Sequence, residues 1–232
     1  MNVMGLICAR GGSRGLPNKH LMPIAGKSLI QHVLEYVEGE GCSDVVLSSD
    51  DDRILELAAK HCNVLKRPEY LARPTTPIVD VVRHFIDQFP RVKYVMEYDG
   101  NWVRRPPLLS RCLQVLRPGV DIIQPLSYIQ KEFPQWSVSM DREGKITPYV
   151  PDHPAGREGL PPLHYPHSGA MFIRVSAFKK HVGDNWPGER VGFLCEPGMD
   201  INSPHDYVLA KAVMERTLSV ERRTNATIRA GA

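Results

Sequence analysis

The sequence predicts an α/β protein: three layers, α/β/α, with helices on both faces of a mainly parallel sheet. Three observations predict it. Short apolar runs of strand length alternate with segments of helical periodicity over most of the 232 residues. The first such run opens into a glycine-rich basic loop, at the strand end where sheets of this kind bind ligands. The hydrophobic fraction of 42% and charged fraction of 24% are those of an ordinary globular chain.

Val3 to Cys8 is the first apolar run and reads as a buried strand. It leads into Ala9-Arg10-Gly11-Gly12-Ser13-Arg14-Gly15-Leu16-Pro17-Asn18-Lys19. Glycine lets backbone N–H groups come close to a ligand and turn inward. Several in a row make an anion-binding nest, to which Arg10, Arg14 and Lys19 add positive charge. The stretch therefore reads as a nucleotide-phosphate site. The plain alternative is a solvated connection, and three glycines and three cations beside a buried strand weigh against it. The spacing is neither G-x-x-x-x-G-K-[ST] nor G-x-G-x-x-G.

From Ala9 to Leu21 the chain reads A-R-G-G-S-R-G-L-P-N-K-H-L. This resembles the N-terminal signature of the acylneuraminate cytidylyltransferases, usually A-R-G-G-S-K-G-I-P-N-K-N-L. The resemblance implies the nucleotide-diphospho-sugar transferase fold and a loop that wraps CTP. On that basis Ala9, Arg10, Gly11, Gly12, Ser13, Arg14 and Lys19 surround the nucleotide, with Arg10 and Lys19 acting in catalysis at its phosphates. His20 stands where the family usually has Asn. The likeness covers nearly the whole chain. It is strongest at 7–34, moderate at 45–82 and 157–173, and weakest at 94–106 and 199–209.

The next element is a helix with Leu29, Ile30, Val33, Leu34 and Val37 inward, capped by Ser28 and ended by Gly39 and Gly41. Asp44 to Ser48 is a second strand. Asp50-Asp51-Asp52 reads as a helix cap rather than a metal site, because the helix of Ile54, Leu55, Leu57, Ala58 and Ala59 follows at once. Asn63 to Lys66 is a third strand. Arg67-Pro68-Glu69-Tyr70-Leu71-Ala72 resembles the family's R-P-x-x-L-A, which implies that Arg67 helps to hold the nucleotide. Thr76 reads as the N-cap of a long helix with Pro77 at its first position. By the resemblance Thr76 also touches the nucleotide.

Tyr94 to Tyr98 reads as a central strand, ending in Asp99-Gly100. Asp99 is either a turn aspartate or a metal ligand, as the related KDO cytidylyltransferases imply. Where the sialic acid enzymes carry L-Q-P-T-S-P-L-R, this chain retains the arginine, at Arg104. Leu108 to Leu116 reads as a helix and Val120 to Leu126 as a strand. The proline- and aromatic-rich segment 127–167 then reads as an insertion, with a hairpin around Asp141 to Gly144. By the resemblance it covers the acidic sugar and reaches a partner subunit, with Arg104, Lys131, Arg157 and Ser168 as acceptor contacts. His153, His164 and His167 lack the spacing of a helical zinc pair. Val191 to Cys195 is another strand. Asp200-Ile201-Asn202 resembles the family's D-I-D, so Asp200 and Asp99 are the expected Mg²⁺ ligands while Asn202 adds no charge. Ser203 to Asp206 reads as a capping box for a final helix over Tyr207 to Leu218. The expected organisation is one nucleotidyltransferase domain over 1–220 and a mobile tail over 221–232.

A formal net charge of +3 is too small to point to nucleic acid. Five widely spaced cysteines without a C-x-x-C pair point away from a disulfide framework and toward a reducing cytoplasm, with Cys8 and Cys195 as buried thiols. No signal peptide or membrane span is read. The resemblance implies a homodimer that transfers CMP from CTP to an acidic small molecule and releases pyrophosphate. The altered Tyr98 to Arg105 stretch leaves open another acceptor, such as a sugar phosphate or phosphonate, or another nucleotide. Asn202 leaves open a non-catalytic nucleotide-binding protein.

Overall fold

The computed structural model describes residues 2–103, 106–129, 133–151, 159–166, 169–178, 183 and 185–230, with side chains as far as Ser219. In chain order the first half contains β1 (Val3–Cys8), β2 (Pro23–Ile24), β3 (Lys27–Ser28), α1 (Leu29–Gly39), β4 (Asp44–Ser49), α2 (Asp52–Ala58), β5 (Asn63–Lys66) and α3 (Ile78–Gln88). The second half adds β6 (Tyr94–Asp99), β7 (Trp102–Val103), α4 (Leu109–Val115), β8 (Val120–Tyr128), β9 (Val138–Met140), β10 (Ile146–Pro148), β11 (His164–Pro166), β12 (Ala170–Arg174), α5 (Val175–Phe178), β13 (Glu189–Leu194), β14 (Met199–Asp200) and α6 (Pro204–Ala230).

The main sheet runs β11-β8-β12-β6-β1-β4-β5, and β13 also pairs with β8. β6, β1, β4 and β5 are mutually parallel, whereas β12 is antiparallel to both of its neighbours. The carboxyl ends of β1, β4 and β6 therefore share one edge, which carries Cys8, Ser48 and Asp99. One face of the sheet packs Leu29, Ile30, Val33 and Leu34 of α1. The other packs Val79, Val82, Phe85 and Ile86 of α3. A strand covered on both faces has to be apolar throughout, which is why β1 reads as an unbroken apolar run.

Local chemistry sets several boundaries. Ser28 and Gln31 form a reciprocal capping box on α1. The Asp51 carboxylate accepts from the Arg53 N–H and caps α2, as the capping reading expects. α3 differs from expectation. Its cap is Pro77, its first residue is Ile78, and the Thr76 hydroxyl donates instead to the Tyr70 carbonyl at 3.2 Å. Pro77 is itself extended, with ψ 141°, so the helix begins one residue later and Thr76 closes the turn before it. The capping box at Ser203 and Asp206 forms, but α6 then continues to Ala230, through the stretch expected to be a polar mobile tail. That stretch lacks an apolar stripe, yet no Gly or Pro interrupts it before Gly231. The hairpin expected around Asp141 is β9–β10. Cys8 is buried, whereas Cys195, expected to be so, lies just past β13 and is partly exposed.

Two glycines at the carboxyl edge are fixed by close approach. A Cβ on Gly100 would meet the Cys8 carbonyl at 2.9 Å, Ala9 Cβ at 3.1 Å and His20 Nε2 at 3.2 Å. A Cβ on Gly15 would lie 2.3 Å from the Asn202 carbonyl. Gly100→Ala should therefore destabilise the fold by about 1–3 kcal/mol, the usual cost of overpacking. Thermal denaturation checks this, and an unshifted midpoint would show that the edge opens freely.

Candidate functional site

The loop after β1 is held from two sides. Ala9 N–H donates to the Ser48 carbonyl at 3.1 Å, and Gly11 N–H to Asp50 Oδ1 at 2.8 Å. Two of the backbone groups expected to face phosphate are thus engaged by β4 and the turn after it. The Ala9 side chain is in the core. Gly12 has φ +61°, and Asn18 is left-handed at φ 55°. Arg53 anchors the end of the loop by donating to Asn18 Oδ1 at 2.8 Å.

A cleft of about 420 Å³ opens beside this loop, within the usual size of a ligand site. Arg10, Ser13, Lys19 and His20 line its loop side; Arg67, Arg73 and Thr76 line the segment leading to α3. Asp99 and Asn101 line the end of β6. Arg10 Nη1 lies 3.3 Å from the Gly12 carbonyl and 3.4 Å from that of Ala72, so it ties the loop to the opposite wall. Arg67 is 5% exposed and donates to Ser48 through Nε and Nη2, at 3.2 and 3.0 Å. Arg14 is exposed and outside the cleft lining. Arg104, Lys131, Arg157 and Ser168, expected at the acceptor, lie outside the described residues, as do His153 and His167.

Lys19 is 6% exposed, and its ammonium donates to Asn202 Oδ1 at 2.8 Å. Burial lowers its pKa; Asp99 and Asp200 oppose that shift. Asp200 is pushed up to about 6, first by burial and then by the negative charge of Asp99. Asn202 partly opposes that rise. The site thus brings together Lys19 from the loop, Asp99 from β6, and Asp200 and Asn202 from β14 and the corner after it. Asp99 Oδ1 accepts from Asn101 N–H at 3.0 Å, so the turn role and proximity to Asp200 coexist.

Asp200 Oδ1 is buried without a hydrogen-bond partner. A buried, unsatisfied carboxylate oxygen beside a second carboxylate suits a hard, oxygen-seeking cation. Among the described residues no cluster of three His, Cys, Asp or Glu side chains forms, so the candidate site is this pair of aspartates.

Glu97 was missed by motif reading. It sits in the middle of β6, is 3% exposed and lines the cleft. The available signal was a lone carboxylate inside an apolar strand, a position that excludes charge unless it is paired or used.

His20, also absent from the usual signature, packs beneath the loop, with Nε2 3.1 Å from Asn101 Oδ1. Burial holds its pKa at about 3, against 6.5 unfolded. The unfolded chain therefore binds a proton that the folded one does not between those values. Stability is undisturbed above pH 6.5 and falls as pH drops below it, by up to about 1.4 kcal/mol per pH unit. His20→Asn should flatten this slope between pH 6 and 4. Denaturant melts across that range test it, and an unaltered slope would place the acid sensitivity elsewhere.

Known proteins resemble this chain in sequence and in fold. Residues 4–103 match the family model described as Cytidylyltransferase. The CMP-N,N'-diacetyllegionaminic acid synthase of Legionella pneumophila is 24% identical, over 93% of this chain and 97% of that protein. An N-acylneuraminate cytidylyltransferase of Streptococcus agalactiae is 25% identical over 75% of this chain, a match that spans only 43% of the streptococcal protein. Among solved structures, a CMP:2-keto-3-deoxy-manno-octonic acid synthetase complexed with CTP has the same fold. It shows a TM-score of 0.71 at 16% identity and covers 94% of this chain and 100% of that one. The 4-diphosphocytidyl-2C-methyl-D-erythritol synthase of Anaerococcus prevotii has a TM-score of 0.60 at 12% identity, over 92% and 98% of the two chains. These comparisons bear out the resemblance read from the loop: residues 4–103 match the cytidylyltransferases, and a relative spanning almost the whole chain is a CMP-sugar synthase.

Proposed function

We infer that this protein is an enzyme that transfers CMP from CTP to an acidic sugar and releases pyrophosphate. The observation that carries the reading is the buried Lys19 ammonium, set between the phosphate loop and the Asp99–Asp200 pair. In this reaction an acceptor hydroxyl oxygen attacks the α-phosphorus. The bond to the bridging oxygen breaks, and negative charge gathers on the departing pyrophosphate. Lys19 and Arg10 are placed to offset that charge. No protein nucleophile is required. Ser13, Arg73 and Thr76 line the walls that would orient the nucleotide. Asp99 and Asp200 would hold Mg²⁺, which supplies further charge neutralisation at the phosphates when bound.

Arg10→Ala and Lys19→Ala should each lose roughly 1.5–3 kcal/mol of CTP binding or transition-state stabilisation, the worth of a charge-assisted contact. Pyrophosphate release and calorimetry with CTP measure it. Unchanged values in both variants would remove the loop from the site. A panel of nucleotides and acidic sugars tests the reaction itself, and stoichiometric CTP binding without turnover of any acceptor would overturn it.

The metal reading carries its own pH dependence. A cation needs the ionised carboxylate, and Asp200 ionises at about 6. Mg²⁺ affinity should thus hold above that pH and fall about tenfold per pH unit below it. Asp200→Asn should abolish the tight site in Mg²⁺ titrations. A titration independent of both pH and Asp200 would remove Mg²⁺ from this pair.

We further propose a cytoplasmic homodimer. The described cysteines are all free thiols, and no described helix is long and apolar enough to cross a membrane. The β9–β10 register pairs Ile146 with Met140 and Pro148 with Val138, so one face of the hairpin is apolar. Val138, Met140 and Ile146 are 53%, 71% and 63% exposed in the single chain, which favours coverage by a second subunit. Sedimentation equilibrium should give a dimer at micromolar concentration; a monomer would overturn this assignment.

A further inference from the structure

Beyond the phosphate end, the cleft continues between the sheet and the start of α3. Glu97 of β6, Gln124 of β8, Met171 of β12 and Val81 of α3 line this inner end. Glu97 pairs in register with Leu6 on one side and Met171 on the other, so its backbone cannot move independently of the sheet. The Cys8 side chain lines the same cleft, where burial and, after it, the nearby Glu97 charge raise its pKa. Arg67, 5% exposed, lines the same cleft and provides positive charge. Val95, two residues back, and the β1 neighbours Leu6 and Cys8 are buried in the α3-side core. A carboxylate fixed in such surroundings and open to a ligand cleft is a hydrogen-bond acceptor of set position.

We propose that Glu97 is a specificity-determining residue, whose carboxylate accepts a hydrogen bond from a hydroxyl or amino group of the ligand at the inner end of the cleft and turns away anionic groups. This rests on the cytidylyltransferase reading above. An acidic acceptor then cannot place its carboxylate at Glu97. It enters with a hydroxyl- or amino-bearing part inward and its acid group toward the cationic walls. Two sources can supply the donor, the ribose of the nucleotide or the acceptor, and the chemistry at Glu97 is the same for both.

Glu97→Gln keeps the shape and removes the charge. Its melting midpoint is compared with that of the wild type to establish that the fold survives. Binding of CTP, 2'-deoxy-CTP and 3'-deoxy-CTP is measured by calorimetry. Turnover is measured with acidic sugars that carry hydroxyl, amino or additional carboxylate substituents. If the acceptor supplies the donor, kcat/KM for hydroxyl- and amino-bearing sugars should fall at least tenfold. Discrimination against the additional carboxylate should shrink by a similar factor, with CTP affinity within twofold. If the ribose supplies it, CTP affinity should fall about tenfold and the preference over a deoxy analogue should vanish. Selectivity ratios unchanged within twofold in both arms would overturn the proposal. Failure of the wild type to turn over any acceptor would overturn the reaction instead. Calorimetric binding of the same nucleotides and sugars to the two proteins would then decide the role of Glu97.

Discussion

The burial of Lys19 is the constraint on which the rest of the site depends. An ammonium that is 6% exposed has lost most of its hydration and is tolerable only where fixed dipoles and negative charge replace it. Its replacements come from distant parts of the chain. Asn202, 183 positions away, supplies the hydrogen bond, and Asp99 and Asp200 supply the charge. The loop after β1, the end of β6 and the corner after β14 must therefore be assembled together. The two crowded glycines follow from this. Gly15 lets the loop press against the Asn202 carbonyl, and Gly100 lets the end of β6 pass beneath His20 and the Cys8 carbonyl. Tyr207 adds a tie by donating to the Pro23 carbonyl at 2.6 Å, so α6 braces the segment after the loop.

Charge in the cleft is only partly balanced within the protein. Burial moves Lys19 and Asp200 in opposite directions, each toward its neutral form, and for each the desolvation exceeds the attraction of its partners. On the proposed function, a phosphate chain would restore charge beside Lys19 and a cation would do so beside Asp200. A metal-bound nucleoside triphosphate would bring both signs. The same reasoning separates the two ends of the cleft. Arg10 and Lys19 favour anions at the loop, whereas Glu97 disfavours them at the inner end.

Most of the frame was legible because local rules and tertiary need agreed. Val3 to Cys8 and Asp44 to Ser48 are apolar as strands covered on both faces must be, and Ser28 and Asp51 cap the helices they precede. Reading failed where a local rule admitted two outcomes. Thr76-Pro77 suits a cap with proline at the first helical position, but Pro77 stays extended and the Thr76 hydroxyl closes the preceding turn onto Tyr70. The last residues lack an apolar stripe, yet α6 continues to Ala230. In the site, motif spacing located the loop and the two aspartates. It did not reveal that Asp50 occupies the Gly11 N–H, because that contact joins two turns 39 positions apart. Glu97 was missed for another reason: it belongs to no motif, and its only mark in the sequence is a lone charge inside an apolar strand.

Asn202 illustrates how a departure from a signature can be consistent with its surroundings. A carboxylate at that position would bond to Lys19 but would face Asp200, which is already raised by Asp99. An amide has both an acceptor and a donor. Its oxygen receives the Lys19 ammonium, and its presence favours the charged form of Asp200. The Lys19 contact alone sets the orientation of the amide, since reversing it would set donor against donor. The corner itself is held by Asp206, whose Oδ2 accepts from the N–H groups of Asn202 and Ser203 at 3.1 and 2.8 Å. Asn202 thus gives up a negative charge and in return connects the cation of the loop to the acid of the sheet edge. The remaining negative charge of the edge is concentrated on Asp99 and Asp200, the pair proposed to hold a divalent ion.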